Sequence, residues 1–152
     1  MPKPRRILVP TDFSEAATAA TGYAAVLAGT FGATLHILHV IPDPLVMGWA
    51  VDAAHLPQLL ERTERTVRTQ LETALTAEQR DACRAELAME TGAPVNRIIE
   101  YAEKHGIDLI VMGTQGRGAV ERMWIGSVTQ GVLRRAPCPI VSVQQPRPGG
   151  AP

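Results

Sequence analysis

The residues with most capacity for chemistry are a set of glycines with a serine. Gly113-Thr114-Gln115-Gly116-Arg117-Gly118 follows the apolar run Leu109-Ile110-Val111-Met112, and Gly126-Ser127-Val128-Thr129 comes after a stretch from Ala119 to Ile125. Glycine is required where backbone takes φ > 0 or where a ligand must approach without a Cβ in the way. A helix start leaves several N–H groups unpaired and carries partial positive charge, so it accepts phosphate. Ser127 or Thr129 would add a hydroxyl donor there. A strand, a glycine-rich loop and a helix beginning at Ser127 read as an anion site, best suited to a nucleotide phosphate. The competing reading is a tight turn followed by Ser127 as a plain N-cap. The loop is not a P-loop, since no Gly-Lys-Ser/Thr occurs. It is not the dinucleotide fingerprint either: Gly116-Arg117-Gly118 runs into Ala119, Val120 and Glu121, without the third glycine.

The elements around this loop alternate strand and helix. Residues 6–10 form a short apolar run, a buried strand, and Thr11-Asp12-Phe13-Ser14 is a turn with Ser14 placed to cap the Ala-rich helix 16–31 that Gly32 ends. Residues 34–41 read as the second strand. Residues 42–57 form a long irregular segment with Pro42, Pro44, Gly48 and Trp49, a length that is often functional in a compact domain. A helix is expected over 59–75, continuing or restarting at Thr76. Residues 84–90 alternate as a third strand, Thr91-Gly92-Ala93 turns, and Pro94 opens a helix that Gly106 closes. Residues 109–112 make the fourth strand, 127–135 the last helix and 140–143 the last strand. Strands alternating with helices mean one open parallel sheet with helices on both faces, an α/β Rossmann-like fold. Ligands in such sheets bind beyond the strand C-termini, where strand order reverses. If strands one and four are neighbours, as in the order 3-2-1-4-5, the loops after them flank that crevice.

Asp12, directly after strand one, is the other polar candidate. A carboxylate there can accept hydrogen bonds from a ribose or an adenine, or reach a metal beside phosphates; it can also simply cap the first helix. The four histidines form no metal set: His36 and His39 lie three apart on a strand and point to opposite faces, His55 is in the long segment, and His105 ends a helix. Gly126-Ser127 lacks the context of a nucleophilic serine, and no base is placed for hydrolysis.

The glycine pattern resembles a known family. Gly113, Gly116 and Gly126-Ser127 fall at the spacing G-x2-G-x9-G-[S/T], the ATP-binding signature of the universal stress protein family. The resemblance also covers Ile7-Leu8-Val9-Pro10-Thr11-Asp12-Phe13-Ser14 and the run from Val132 through Ala136-Pro137-Cys138-Pro139 to Val141. It implies an adenine nucleotide pocket, with Pro10 and Thr11 on the adenine side, Asp12 in the pocket and the backbone of Val40 at the adenine edge. Met112, Gly113, Gly116, Arg117, Gly126, Ser127, Val128 and Thr129 would carry the ribose and phosphates. ATP is the implied ligand, with Mg held through its phosphates, in a stress-response or signalling role rather than as an enzyme's substrate. The chain departs from the family's usual residues at Gln115, Gly118-Ala119 and Trp124. A dimeric interaction module without nucleotide, or a slow ATPase, are the alternatives.

The bulk properties fit that picture. The chain has 152 residues, enough for one domain, expected over 1–145 with a Pro/Gly tail at 146–152 expected to be disordered. Lys plus Arg and Asp plus Glu are both 15, so charge gives no argument for nucleic acid. No apolar run is long enough to span a membrane, and no signal segment is read at the start. Cys83 and Cys138 make no CxxC pair and are expected as free thiols in a cytoplasmic protein. The last strand, Ile140–Val143, would be an apolar sheet edge, which the same strand of a second chain could cover with two-fold symmetry. The family resemblance implies that homodimer; any further protein partner is unknown.

Overall fold

The computed structural model describes residues 2–114 and 118–144, with backbone alone for residues 118–126. Its elements are β1 (Arg6–Pro10), α1 (Glu15–Phe31), β2 (Thr34–Pro42), α2 (Leu56–Glu72), α3 (Ala77–Ala82), β3 (Glu86–Gly92), α4 (Pro94–Lys104), β4 (Leu109–Gly113), α5 (Gly118–Arg135) and β5 (Ile140–Val143). The strands form one five-stranded sheet in the order β3-β2-β1-β4-β5, with every pairing parallel. The expected strand order is therefore the observed one.

Burial on both faces explains the near-continuous apolar strands. Ile7, Leu8 and Val9 are all fully buried, and alternation sends Ile7 and Val9 to one layer and Leu8 to the other. The first layer is α1 and α2; the second is α4 and α5. Helix α1 meets the sheet through Ala16, Ala17, Ala20, Ala24 and Ala28, all buried. Small side chains on that stripe let the helix lie close to β4. At Gly113 an added Cβ would stand 2.6 Å from the Ala16 carbonyl oxygen. A second close approach joins α5 to α4, where a Cβ on Gly131 would come within 2.8 Å of Val95 Cγ2.

The helix ends follow local chemistry. Ser14 Oγ accepts from the Ala17 N–H at 3.2 Å, and Gly32 takes φ 65° to close α1. Thr76 restarts the chain as α3: its hydroxyl accepts from Gln79 N–H and Gln79 Oε1 accepts from Thr76 N–H, a reciprocal cap.

Several boundaries differ from the sequence expectation. Helix α2 starts at Leu56 because Pro57 sits in its first turn, where a missing N–H costs nothing. Strand β3 starts at Glu86, not 84, because Arg84 holds φ 46° while closing α3, its Nη2 donating to Gly32 O at 2.9 Å. It runs on to Gly92 because the end of β2 pairs with it through Pro42↔Gly92. Helix α5 begins at Gly118, well before Ser127, since nothing from Ala119 to Ile125 breaks a helix. Its unpaired N–H groups are therefore those of the turn at Gly118, and Ser127 is not its N-cap.

The contact at Gly113 gives the first prediction. Gly113→Ala should push α1 off β4 and cost about 1–3 kcal/mol in urea unfolding, whereas Gly29→Ala, with nothing within 4 Å of the new Cβ, should leave stability equal or slightly raised.

Candidate ligand-binding site

The crevice originates in backbone hydrogen bonding. On β2, Leu35 N–H and Asp43 N–H donate to Cys83 O and Gly92 O on the β3 side, while Thr34 N–H donates to Arg5 O and Leu38 O accepts from Thr11 N–H on the β1 side. Odd positions of β2 thus serve β3 and even positions serve β1. Val40 is even, but the last β1–β2 pair is Pro10↔Leu38. The N–H and C=O of Val40 therefore face the β1 side with no strand beside them. On the other flank the β1–β4 pairs stop at Leu8↔Ile110, and Pro10 has no N–H with which to continue. So β1 separates from both neighbours near Pro10, at the point where strand order reverses.

A cavity of about 190 Å³ occupies this opening. Pro10, Thr11, Asp12, Val40, Met112, Gly113, Val128 and Thr129 all line it, so eight of the residues singled out from sequence are brought together. Leu38, His39 and Pro42 from β2, Pro94 and Ile98 from α4, and Ser14, Ala16 and Ala17 from α1 or its cap complete the wall. The lining is apolar, with Thr11, Asp12, Ser14, His39 and Thr129 as its polar groups. Thr129 is buried, and its hydroxyl donates to Gly113 O at 3.4 Å. Ser127 is exposed on α5, beside Val128 of this wall but not lining it, with Gly126 before it in the helix. Gly116 and Arg117 lie outside the described residues, as do Gln115 and the tail 146–152.

The turn after β1 is rigidly tied. Thr11 Oγ1 accepts from Phe13 N–H at 3.0 Å, and Asp12 Oδ1 accepts from Ser14 N–H at 2.9 Å. Asp12 is exposed, so its second oxygen remains at the rim. Phe13 sits at φ 63°, an unusual conformation for a bulky side chain. Its ring stacks on His39, with centroids 4.8 Å apart. His39 Nδ1 lies 2.7 Å from Thr11 O; a carbonyl only accepts, so the ring carries its proton on Nδ1. Sequence reasoning placed His39 on a strand without a role. Its only available signal was a polar residue next to Val40 in a strand otherwise mostly apolar.

The other histidine of β2 faces the opposite layer, as alternation requires. His36 Nδ1 is 2.8 Å from the Tyr101 hydroxyl and 3.5 Å from Glu86 Oε2. His105 stacks on Tyr101 at 3.9 Å. Burial, then Glu86 and Glu90, push the Tyr101 phenol up to about 12, so it stays protonated. Cys83 and Cys138 are free, and burial pushes both thiols up, so neither offers a ready thiolate. Among the described residues no group of three or more His, Cys, Asp or Glu side chains could hold a metal ion, and no helix is long and apolar enough to cross a membrane.

Residues 3–144 match the universal stress protein family. The chain belongs to that family. A universal stress protein of Thermus aquaticus is 36% identical over 141 residues, covering 92% of this chain and 98% of the relative. Among solved structures, the universal stress protein UspA of Lactobacillus plantarum superposes with a TM-score of 0.75 at 29% identity, covering 94% of this chain and 99% of that one. A universal stress protein of Archaeoglobus fulgidus, solved in complex with dAMP, shares the fold with a TM-score of 0.62 at 22% identity, over 91% of this chain and 96% of its own.

The two β2 histidines give this universal stress protein a pH dependence. Burial is the main cause holding both His36 and His39 below the ordinary histidine value of 6.5; Glu86 and, for His39, the Thr11 carbonyl and Asp12 oppose it. The unfolded chain binds protons first as pH falls through 6.5, so stability is full above that value and declines below it. The urea midpoint should fall between pH 7.5 and 5.5, and a His36→Gln/His39→Gln variant should show a flatter profile over the same range.

Proposed function

We propose that this protein binds an adenine nucleotide, ATP foremost, in the crevice beside β1, and uses it as a regulatory ligand. The single observation that carries this reading is the Val40 edge. A donor and an acceptor are presented side by side by one strand residue, in an apolar slot formed with Ile98, Met112 and Val128. An adenine edge offers the matching acceptor and donor, and its flat faces suit the apolar walls. The free oxygen of Asp12 at the rim suits ribose hydroxyls. The phosphates would then extend toward Gly113, Gly116, Arg117, Gly126, Ser127 and Thr129, with Mg carried on the phosphates. The A. fulgidus relative solved with dAMP supports the adenine nucleotide class.

Among the described residues of the pocket, His39 is committed to the Thr11 carbonyl and Asp12 accepts from Ser14 N–H, which favours a ligand that signals over one that is consumed. The surface it would alter begins at the rim: Pro42 lines the cavity, and the segment leaving it exposes Leu45, Val46, Met47 and Trp49. Nucleotide would order this segment and change what is offered to a cytoplasmic protein partner. A homodimer through β5 completes the reading. Pro139 O and Val143 O accept from Ile110 and Thr114 N–H, so the Ser142 N–H points away from β4, where a second chain could accept from it. A dimeric module without nucleotide is the second reading, favoured by α5 starting at Gly118 rather than opening at Ser127.

Denaturing freshly purified protein and identifying released small molecules tests the ligand. Recovered ATP supports the proposal; no nucleotide, with no thermal shift on adding ATP and Mg²⁺, supports the second reading. Val40→Pro, which removes the N–H facing the crevice but none facing β3, should weaken ATP about tenfold, while Val40→Ile should bind as the parent does. Ser142→Pro should convert the dimer to a monomer by light scattering with the fold intact; an unchanged mass would rule out the β5 interface.

A further inference from the structure

The parity of β2 has a consequence for one side chain. In the parallel ladder, Thr11 N–H donates to Leu38 O, and the next rung would run from Val40 N–H to Thr11 O. That rung is not made, although Thr11 is itself buried beside β2. The Thr11 carbonyl is taken instead by His39 Nδ1–H at 2.7 Å. The residue next to Val40 thus gives the Thr11 carbonyl a donor other than its ladder partner, so satisfying that carbonyl does not require closing the ladder on Val40. The same ring stacks on Phe13, holding it at φ 63°, so the chain turns away from β2 at once.

We propose that His39 is a positioning residue that keeps the Val40 edge open for ligand by capturing the Thr11 carbonyl. This rests on the adenine nucleotide reading for the ligand, but the hydrogen-bond switch itself needs none. A buried carbonyl must find a donor. With His39 present the donor is an imidazole; without it, the nearest one in register is Val40 N–H. Its loss would convert the crevice into one more rung of sheet. Among the described residues, the charged group set against the ring is Asp12, whose carboxylate is committed on one oxygen to Ser14 N–H.

Two substitutions separate the two contacts of the ring. His39→Phe keeps an aromatic face for Phe13 and loses the Nδ1 donor; His39→Asn keeps a donor near the Nδ1 position and loses the ring. Wild-type protein should show the Nδ1–H tautomer in ring ¹⁵N spectra, and no coupling across a hydrogen bond between Val40 ¹⁵N and Thr11 ¹³C′. In His39→Phe that coupling should appear, and ATP, titrated by calorimetry, should bind about tenfold more weakly. His39→Asn should lack the coupling and bind within about threefold of wild type. An Nε2–H tautomer in the wild type overturns the proposal whether or not either variant folds. So does a folded His39→Phe without the Val40–Thr11 coupling, or with it and unchanged affinity. Should wild-type protein bind no adenine nucleotide, the proposed function falls, while the tautomer and the coupling still decide whether His39 holds the edge open.

Discussion

Everything at the site follows from backbone groups that β1 leaves behind. A central strand of a parallel sheet normally consumes the donors and acceptors of both neighbours. Here β1 pairs with β2 as far as Pro10↔Leu38 and with β4 only as far as Leu8↔Ile110. Pro10 ends the pairing with β4 because it has no N–H, and the turn at Thr11 to Ser14 carries the chain up into α1. The Val40 N–H and C=O are left inside the protein with no strand to meet them. In a closed apolar core that would be costly; at the mouth of a crevice it is a ready pair of contacts for a planar ligand edge.

The walls of the crevice depend on small residues elsewhere. Helix α1 reaches β4 because Gly113 has no Cβ and the helix offers only alanines there. Helix α4 approaches α5 over Gly131, which brings Ile98 and Val128 to the same cavity. Gly113 thus has a packing reason for being glycine that is separate from any phosphate. A glycine read from sequence as ligand-facing can be equally demanded by a helix on its other side, as Gly113 is by α1.

The long surface segment after β2 carries a cluster of exposed apolar side chains, while Tyr23, Val26, Leu59 and Leu133 are exposed singly on the helices. Leu45, Val46, Met47 and Trp49 are exposed within a few residues of Pro42 at the cavity rim. Strand β5 is short and lies at the sheet's outer edge. The segment after β2 continues directly from Pro42 at the cavity rim, and β4 borders both the cavity and β5.

Much was legible because it is local. The apolar runs, Ser14 and Gly32 as caps, Pro94 at a helix start and the alternation of elements determine the fold class and its parallel pairing, while the order 3-2-1-4-5 was implied by the family resemblance. Pro10, Thr11, Asp12, Val40, Met112, Gly113, Val128 and Thr129, named from the family resemblance, line one cavity. Tertiary structure decided what depends on pairing between distant segments. The start of β3 was set by Arg84 reaching Gly32, and its end by the length of β2. Helix α5 took in Gly126 and Ser127, because glycine's local preference for a loop is weak against a continuing helix. The role of His39 was invisible for the same reason. Its meaning lies in a carbonyl 28 residues away in sequence, and only the sheet register shows which backbone group that carbonyl would otherwise have bound.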